Sequence, residues 1–283
     1  MDSLRRTSVA GRWYPEDARQ LAGDIDRYVA EAAVEPPPRP PLALVSPHAG
    51  LMYSGPVAAF AYGAARLTTY RAIVLVGPSH FIPFRGVSLW PEGRWQTPFG
   101  DVAVDGALAS AIRAGSSEIV ELSEAHGREH SLEMQLPFVA RLFPGASIVP
   151  LVMGYQTRQT AFALGDAIAG ALTKPSGAVG DASDRGRVLL VASSDLSHYE
   201  DARVAAAMDD VVVRHVEDLD PGGLMTALEH EPRHACGGGP MVAVLHAAKR
   251  LGATAARALR YADSGDVSGD KSSVVGYLAA AVW

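Results

Sequence analysis

The stretch "LALVSPHAGLMYSGP", residues 42–56, decides how the rest of the chain is read. An apolar run stops at Ser46-Pro47-His48-Ala49-Gly50, and a helical pattern resumes near Pro56. Further on the pattern returns: "AIVLVGPSHF", residues 72–81, closes on Gly77-Pro78-Ser79-His80. Two buried-looking strands thus end in a small residue, a proline and a histidine. Pro47 fixes the backbone direction ahead of His48. Gly50 and Gly77 permit conformations that residues with a β-carbon resist. Loops built this way aim a side chain.

Further apolar runs lie at 147–153 and 187–193, and "SSVVGYLAAAVW" reads as a final buried strand. Helical patterns fall at 16–32, 56–66, 129–143, 158–173 and 201–217. Near-continuous apolar strands alternating with helices predict a mostly parallel sheet covered on both faces. Residues 86–104, "GVSLWPEGRWQTPFGDVAV", alternate between turn residues and predict a β-hairpin excursion, so the sheet is expected to be mixed. "EPPPRPP" is a stiff connector into the first strand. Residues 174–186, "KPSGAVGDASDRG", read as a polar, mobile surface loop. No repeat or domain boundary emerges, so residues 1–283 are expected to form one α/β domain.

Composition sets the outer limits. The 283 residues are 48% hydrophobic and 20% charged, ordinary values for a globular chain. Formal net charge is -6, which carries no nucleic-acid footprint. No apolar run reaches the roughly 18 residues that span a membrane. The opening "MDSLRRTSVAGRWYPED" lacks the apolar core of a signal peptide. Cys236 is the lone cysteine, which excludes an internal disulfide and fits a reducing, cytoplasmic setting.

In open α/β sheets, sites lie beyond the carboxyl ends of the strands. Three strands here end in titratable groups: His48, His80, and "SSDLSHY" with Asp195 and His198. A single loop histidine is usually a surface or packing residue. Three on one sheet edge point to a site. A fourth element, "HACGGGPMVAVLHAAKR", sets Cys236 before three glycines, with Pro240 placed as the first helical residue. A phosphate loop would need a following Lys-Ser/Thr, which is missing. The expectation is a thiolate stabilised by the helix N-terminus, with glycines that let backbone approach a ligand. In "EHSLEMQLPFV", His130, Glu133 and Met134 share one face of the expected helix. That pattern fits a pocket lining and a solvated polar pair equally.

The motifs "SPHAGLMYSGPVAA", "VGPSHF", "WQTPFGDVAVD", "EHSLEMQLPF", "SSDLSHY" and "ACGGGP" together resemble the Memo family in content and order. The opening "VAGRWYP" and closing "SGDKSSVVGYLAA" match as well, so the resemblance spans residues 7–282. Bacterial and archaeal members are called AmmeMemoRadiSam system protein B. The family is similar to the class III extradiol (LigB-type) dioxygenases, which cleave catecholic rings with non-haem iron(II). That kinship implies a mixed, mostly parallel central sheet flanked by helices.

The resemblance also implies roles. His48 and His80 match the two metal-binding imidazoles. Cys236 stands where the dioxygenases place a carboxylate, and a thiolate is softer, which alters metal preference. Iron(II) is favoured by kinship, with copper or zinc as chemical alternatives. His198 matches the acid/base histidine, and Asp195 is placed to orient it. His130 and Glu133 line the pocket or support the ligands, and Trp13 and Tyr53 form an aromatic wall or pack the core. The first functional expectation is a metal-dependent redox enzyme acting on a small aromatic or modified substrate. A link to a radical SAM enzyme and an AMMECR1-domain protein is implied by the family name. A second is a non-catalytic adaptor that binds a ligand or peptide in a vestigial cleft. A third is a cysteine hydrolase using Cys236, His198 and Asp195.

Overall fold

Val74 and Val76 pack into one apolar cluster while Ile73 and Leu75, on the same strand, pack into another. Alternate side chains of a strand point to opposite faces, so a strand apolar at every position needs cover on both. The computed structural model supplies that cover, and it describes residues 3–173 and 187–283. The expected loop at 174–186 lies outside the described residues.

The elements in chain order are β1 (Leu4–Arg5), α1 (Ala18–Ala32), β2 (Ala43–Ser46), α2 (Leu51–Ala65), β3 (Tyr70–Pro78), β4 (Val87–Leu89), β5 (Arg94–Trp95), β6 (Val102–Ala103), α3 (Gly106–Arg113), β7 (Ile119–Val120), α4 (Glu124–Gly127) and α5 (Leu136–Leu142). They continue with β8 (Ser147–Met153), α6 (Arg158–Thr173), β9 (Arg187–Ser193), β10 (His198–Glu200), α7 (Ala202–Glu217), α8 (Pro221–His230), α9 (Gly238–Arg250), β11 (Ala256–Asp263), α10 (Gly265–Ser268) and β12 (Val274–Val282).

The main sheet runs β10-β12-β2-β9-β3-β8-β4-β7, with β11 also paired to β12. Strands β2, β9, β3 and β8 are parallel neighbours, whereas β12 and β4 join antiparallel. The sheet is therefore mixed, in one α/β domain. Helices α1 and α2 pack on one face, and α6 and α9 on the other. The end of β9 lies between those of β2 and β3, with Ser46 paired to Ser193. Two loops that bear histidines thus flank the third. No helix among the described residues is long and apolar enough to cross a membrane.

Some elements depart from the sequence reading. The 86–104 segment divides: β5 and β6 form the hairpin in a small sheet with β1, while β4 enters the main sheet. Helix α2 begins at Leu51, five residues before Pro56, which sits inside it. The missing N–H forfeits one bond, to the Met52 carbonyl. Helix α9 begins at Gly238, which makes Pro240 its third residue rather than its first. The first four N–H groups of a helix have no intrahelical partner, so the proline is tolerated there. The expected helix at 129–143 is broken into a turn, a 3₁₀ segment at Glu133–Gln135, and α5. Pro137 has no N–H for the Glu133 carbonyl, and Leu136 N–H bonds to that carbonyl instead, tightening the turn.

Candidate metal centre

His48, His80 and Cys236 come together beyond the carboxyl ends of β2 and β3, their ligand atoms all within 4.8 Å of one another. His48 Nε2 lies 3.3 Å from Cys236 Sγ. The His48 and His80 rings stand edge to face at 78°, which lets their in-plane lone pairs converge. His48 is buried, whereas the His80 side chain is 28% exposed and leaves the cluster open to one side.

A chain of hydrogen bonds settles which His48 nitrogen is free. Tyr62 hydroxyl donates to Gln135 Oε1 at 2.9 Å. That fixes the amide, whose Nε2 donates to the Pro47 carbonyl and, at 2.7 Å, to Ser193 Oγ. Ser193 spends its own hydrogen on the Ser131 carbonyl at 2.6 Å. The remaining contact of Ser193 Oγ is His48 Nδ1 at 3.0 Å, and that nitrogen must donate. The proton sits on Nδ1 and the Nε2 lone pair faces the thiol. Burial, with His80 adding to it, pushes the His48 pKa down to about 3, so the ring is neutral at physiological pH.

Asp195 is close enough to His198 to interact with it electrostatically, but its hydrogen bonds go to backbone. Its Oδ1 accepts the His48 and Ala49 backbone N–H groups at 2.7 and 3.3 Å. Its carbonyl accepts Cys236 N–H at 3.2 Å. The His198 ring is held instead by the Leu196 carbonyl, 2.8 Å from Nδ1. That bond leaves His198 Nε2 without an assigned partner. Tyr199, beside it, takes a positive φ of 63°, an uncommon conformation for a bulky residue.

Cys236 does not have the thiolate setting expected from its sequence. Burial, followed by the nearby Asp195 carboxylate, pushes its pKa far up. Two of the N–H groups that could stabilise a thiolate are engaged elsewhere: Gly237 N–H bonds to Ser194 Oγ, and Gly239 N–H to Gln156 Oε1. Gln156 also donates to the Cys236 carbonyl at 2.7 Å. The glycines serve packing, and Gly238 and Gly239 also line a cleft beside Cys236. A β-carbon at Gly237 would lie 2.5 Å from the Ser193 carbonyl oxygen, and one at Gly238 would lie 2.6 Å from Leu228.

His130 and Glu133 point to different tasks. The His130 ring stacks on His80 with centroids 4.6 Å apart, and Trp13 packs against it at 4.3 Å. Burial, then His48, pushes its pKa down to about 4. Glu133 is fully buried, and its carboxylate accepts from Ser8 N, Val9 N, Tyr14 hydroxyl and Arg5. It anchors the N-terminal segment that carries Trp13. Trp13 and Tyr53 line a neighbouring cleft of about 700 Å³.

Glu129 had no role in the sequence reading, although it is buried here and contacts His80 and His130. The only signal was an acid flanking His130. Its partner His80 is 49 positions away, beyond the reach of local spacing.

Two imidazoles, that of His48 with its Nε2 lone pair free, and one thiol form a donor set suited to iron, copper or zinc. A bound cation would also remove the thiol proton that burial retains. The residues therefore fit a transition metal.

A family model described as Memo-like protein matches residues 5–281. A MEMO1 family protein of Thermotoga maritima is 36% identical over 286 residues, covering 98% of each chain. Those of Sulfolobus acidocaldarius and Methanosarcina mazei are 37% and 38% identical, again covering 98% of each chain. With the fold and this degree of likeness together, the chain belongs to the Memo family.

Proposed function

We propose that His48, His80 and Cys236 hold one transition-metal ion and that the protein is a redox enzyme acting on a small aromatic or modified substrate. The observation that carries this reading is the convergence of the His48 nitrogen and the Cys236 sulfur, with the His48 proton fixed on its far nitrogen. The ion, when bound, supplies a Lewis-acidic and redox-active centre. Iron(II) is favoured by the likeness to extradiol dioxygenases, while the soft sulfur ligand also suits copper and zinc. Cytoplasmic, reducing surroundings would preserve the thiol. A radical SAM enzyme or an AMMECR1-domain protein encoded nearby would support a shared reaction sequence.

The protein's own residues supply the rest of the mechanism. His198, with Nδ1 bonded to the Leu196 carbonyl, offers Nε2 to take a proton from a substrate hydroxyl. Trp13 and His130 form an aromatic wall against which a planar ring packs. The hydrolase reading loses support, because the imidazole beside Cys236 is His48 and Asp195 is bonded to backbone. The cleft lined by Trp13 and Tyr53 favours a second reading, a non-catalytic ligand- or peptide-binding protein.

Anaerobic purification without a metal-binding tag tests the reading. Wild type should carry iron, copper or zinc, and His48→Ala and Cys236→Ala should lose it. Equal occupancy in all three proteins rejects the assignment. Ligand binding that survives chelation favours the second reading.

A further inference from the structure

The Glu129 side chain is only 1% exposed, and four N–H groups converge on its carboxylate. We propose that it is the positioning residue for His80, holding the imidazole in one tautomer and one orientation for the metal; this rests on the metal reading above.

The geometry assigns the proton. Glu129 Oε2 accepts His80 backbone N–H at 2.6 Å, while Oε1 contacts His80 Nδ1 at 2.9 Å. A carboxylate only accepts, so Nδ1 carries a proton, and in the neutral ring Nε2 is then the nitrogen with the lone pair. Holding both the backbone and the ring of one residue removes most of the freedom of that side chain. The order is established before a ligand arrives, so less entropy is lost on binding. A carboxylate behind a ligating imidazole also makes it a better donor.

The carboxylate is itself held firmly. Its Oε1 accepts the His130 and Ser131 N–H groups, both at 2.8 Å. Ser131 Oγ donates to the Pro78 carbonyl at the end of β3. A β-carbon at Gly77 would lie 2.7 Å from Ser131 Oγ, so the glycine allows the turn to press against β3. The Glu129 carbonyl accepts from Arg5, tying the turn to the N-terminal segment.

His80, Glu129 and His130 also lie close enough to suggest a second cation site. Ring geometry argues against it. The two imidazoles are stacked with planes 17° apart, so their in-plane lone pairs run side by side and do not converge. Four N–H groups already surround the carboxylate. Positioning accounts for the contacts of the carboxylate.

The first experiment needs no metal. Imidazole ¹⁵N–¹H correlation spectra at a mildly alkaline pH should show His80 as the Nδ1-protonated tautomer in wild type, and a tautomer mixture in Glu129→Gln. The second is a double-mutant cycle with Co(II) as probe. Glu129→Gln should weaken affinity by about 10–100-fold. In a His80→Ala background it should cost no more than about threefold, because a residue acting through His80 has nothing left to position. Glu129→Asp serves if the glutamine variant fails to fold, with loss again confined to the background that retains His80. An unchanged tautomer, or equal loss in both backgrounds, overturns the proposal. Wild type that takes no Co(II) but shows the expected tautomer change overturns the metal reading and leaves Glu129 with the ring alone.

Discussion

His48 and Cys236 are 188 positions apart, yet the imidazole Nε2 of one lies 3.3 Å from the sulfur of the other. The end of β9 makes that contact possible. Ser193 Oγ accepts the His48 Nδ1–H, Ser194 Oγ accepts Gly237 N–H, and Asp195 accepts backbone N–H groups from both segments. Three consecutive residues thereby fix the loop after β2 to the connection between α8 and α9.

Ser193→Ala should therefore weaken metal binding without removing a ligand. It leaves the Gln135 amide, the His48 Nδ1–H and the Ser131 carbonyl short of a partner. Each buried group left unpaired costs about 1–3 kcal/mol. Metal affinity should fall by about 10–100-fold, the range for outer-shell changes. Equilibrium titration with Co(II) or Zn(II), alongside urea unfolding, measures both. Unchanged affinity would show that the relay does not set the tautomer.

The metal-free protein should be destabilised by alkali through Cys236. Burial, followed by Asp195, raises the thiol pKa in the folded state above its ordinary value of 9.0. The folded state thus retains a proton that the unfolded state releases. The resulting stabilisation is complete below the unfolded value and is lost as pH rises past it. Urea unfolding of metal-free wild type should show a steeper decline above about pH 9 than Cys236→Ala. Buried tyrosines such as Tyr62 and Tyr277 contribute equally to both proteins and cancel. Parallel curves would remove the thiol from the account. Alkylation by iodoacetamide near neutrality should also be slow until the protein is unfolded.

The strand-end histidines were legible because β2, β3 and β9 are apolar along their cores and stop abruptly at Ser46, Pro78 and Ser193. Parallel order then places their ends on one side. The 129–143 segment misled because the spacing of His130, Glu133 and Met134 suits a helix, while Pro137 denies it the bond that would continue one. Cys236 was read from its neighbours in sequence, but its environment is set by Ser194, Asp195 and Gln156, residues that only the fold delivers. Glu129 was missed for the same reason.

Glu133→Gln should destabilise the protein and loosen the wall beside the site. Arg5 and Glu133 are 2% and 0% exposed, and replacing one leaves the other buried without its counter-charge. Breaking a buried pair in this way costs about 3–5 kcal/mol. Ser8, Val9 and Tyr14 also lose part of their acceptor, so the segment that carries Trp13 should detach first. Denaturant unfolding and hydrogen exchange at residues 8–14 measure the two effects. A loss below about 1 kcal/mol, with exchange unchanged, would show that the clamp is dispensable.

His198→Ala separates three roles for the residue nearest the proposed proton transfer. His198 Nδ1 is bonded to the Leu196 carbonyl, and the adjoining Tyr199 holds a positive φ. Backbone strain beside a titratable group is often maintained for a function. An imidazole suits acid/base work because its unperturbed pKa of about 6.5 makes both forms available near neutrality. If that is its task, the variant should retain metal and stability while turnover or ligand binding falls, the usual contribution of such a group being about 10²–10⁴-fold in rate. Metal content, unfolding and ligand titration together give the answer. Lost metal in a folded variant would make His198 a ligand. Wild-type behaviour in every assay would leave it only the turn that it closes against Leu196.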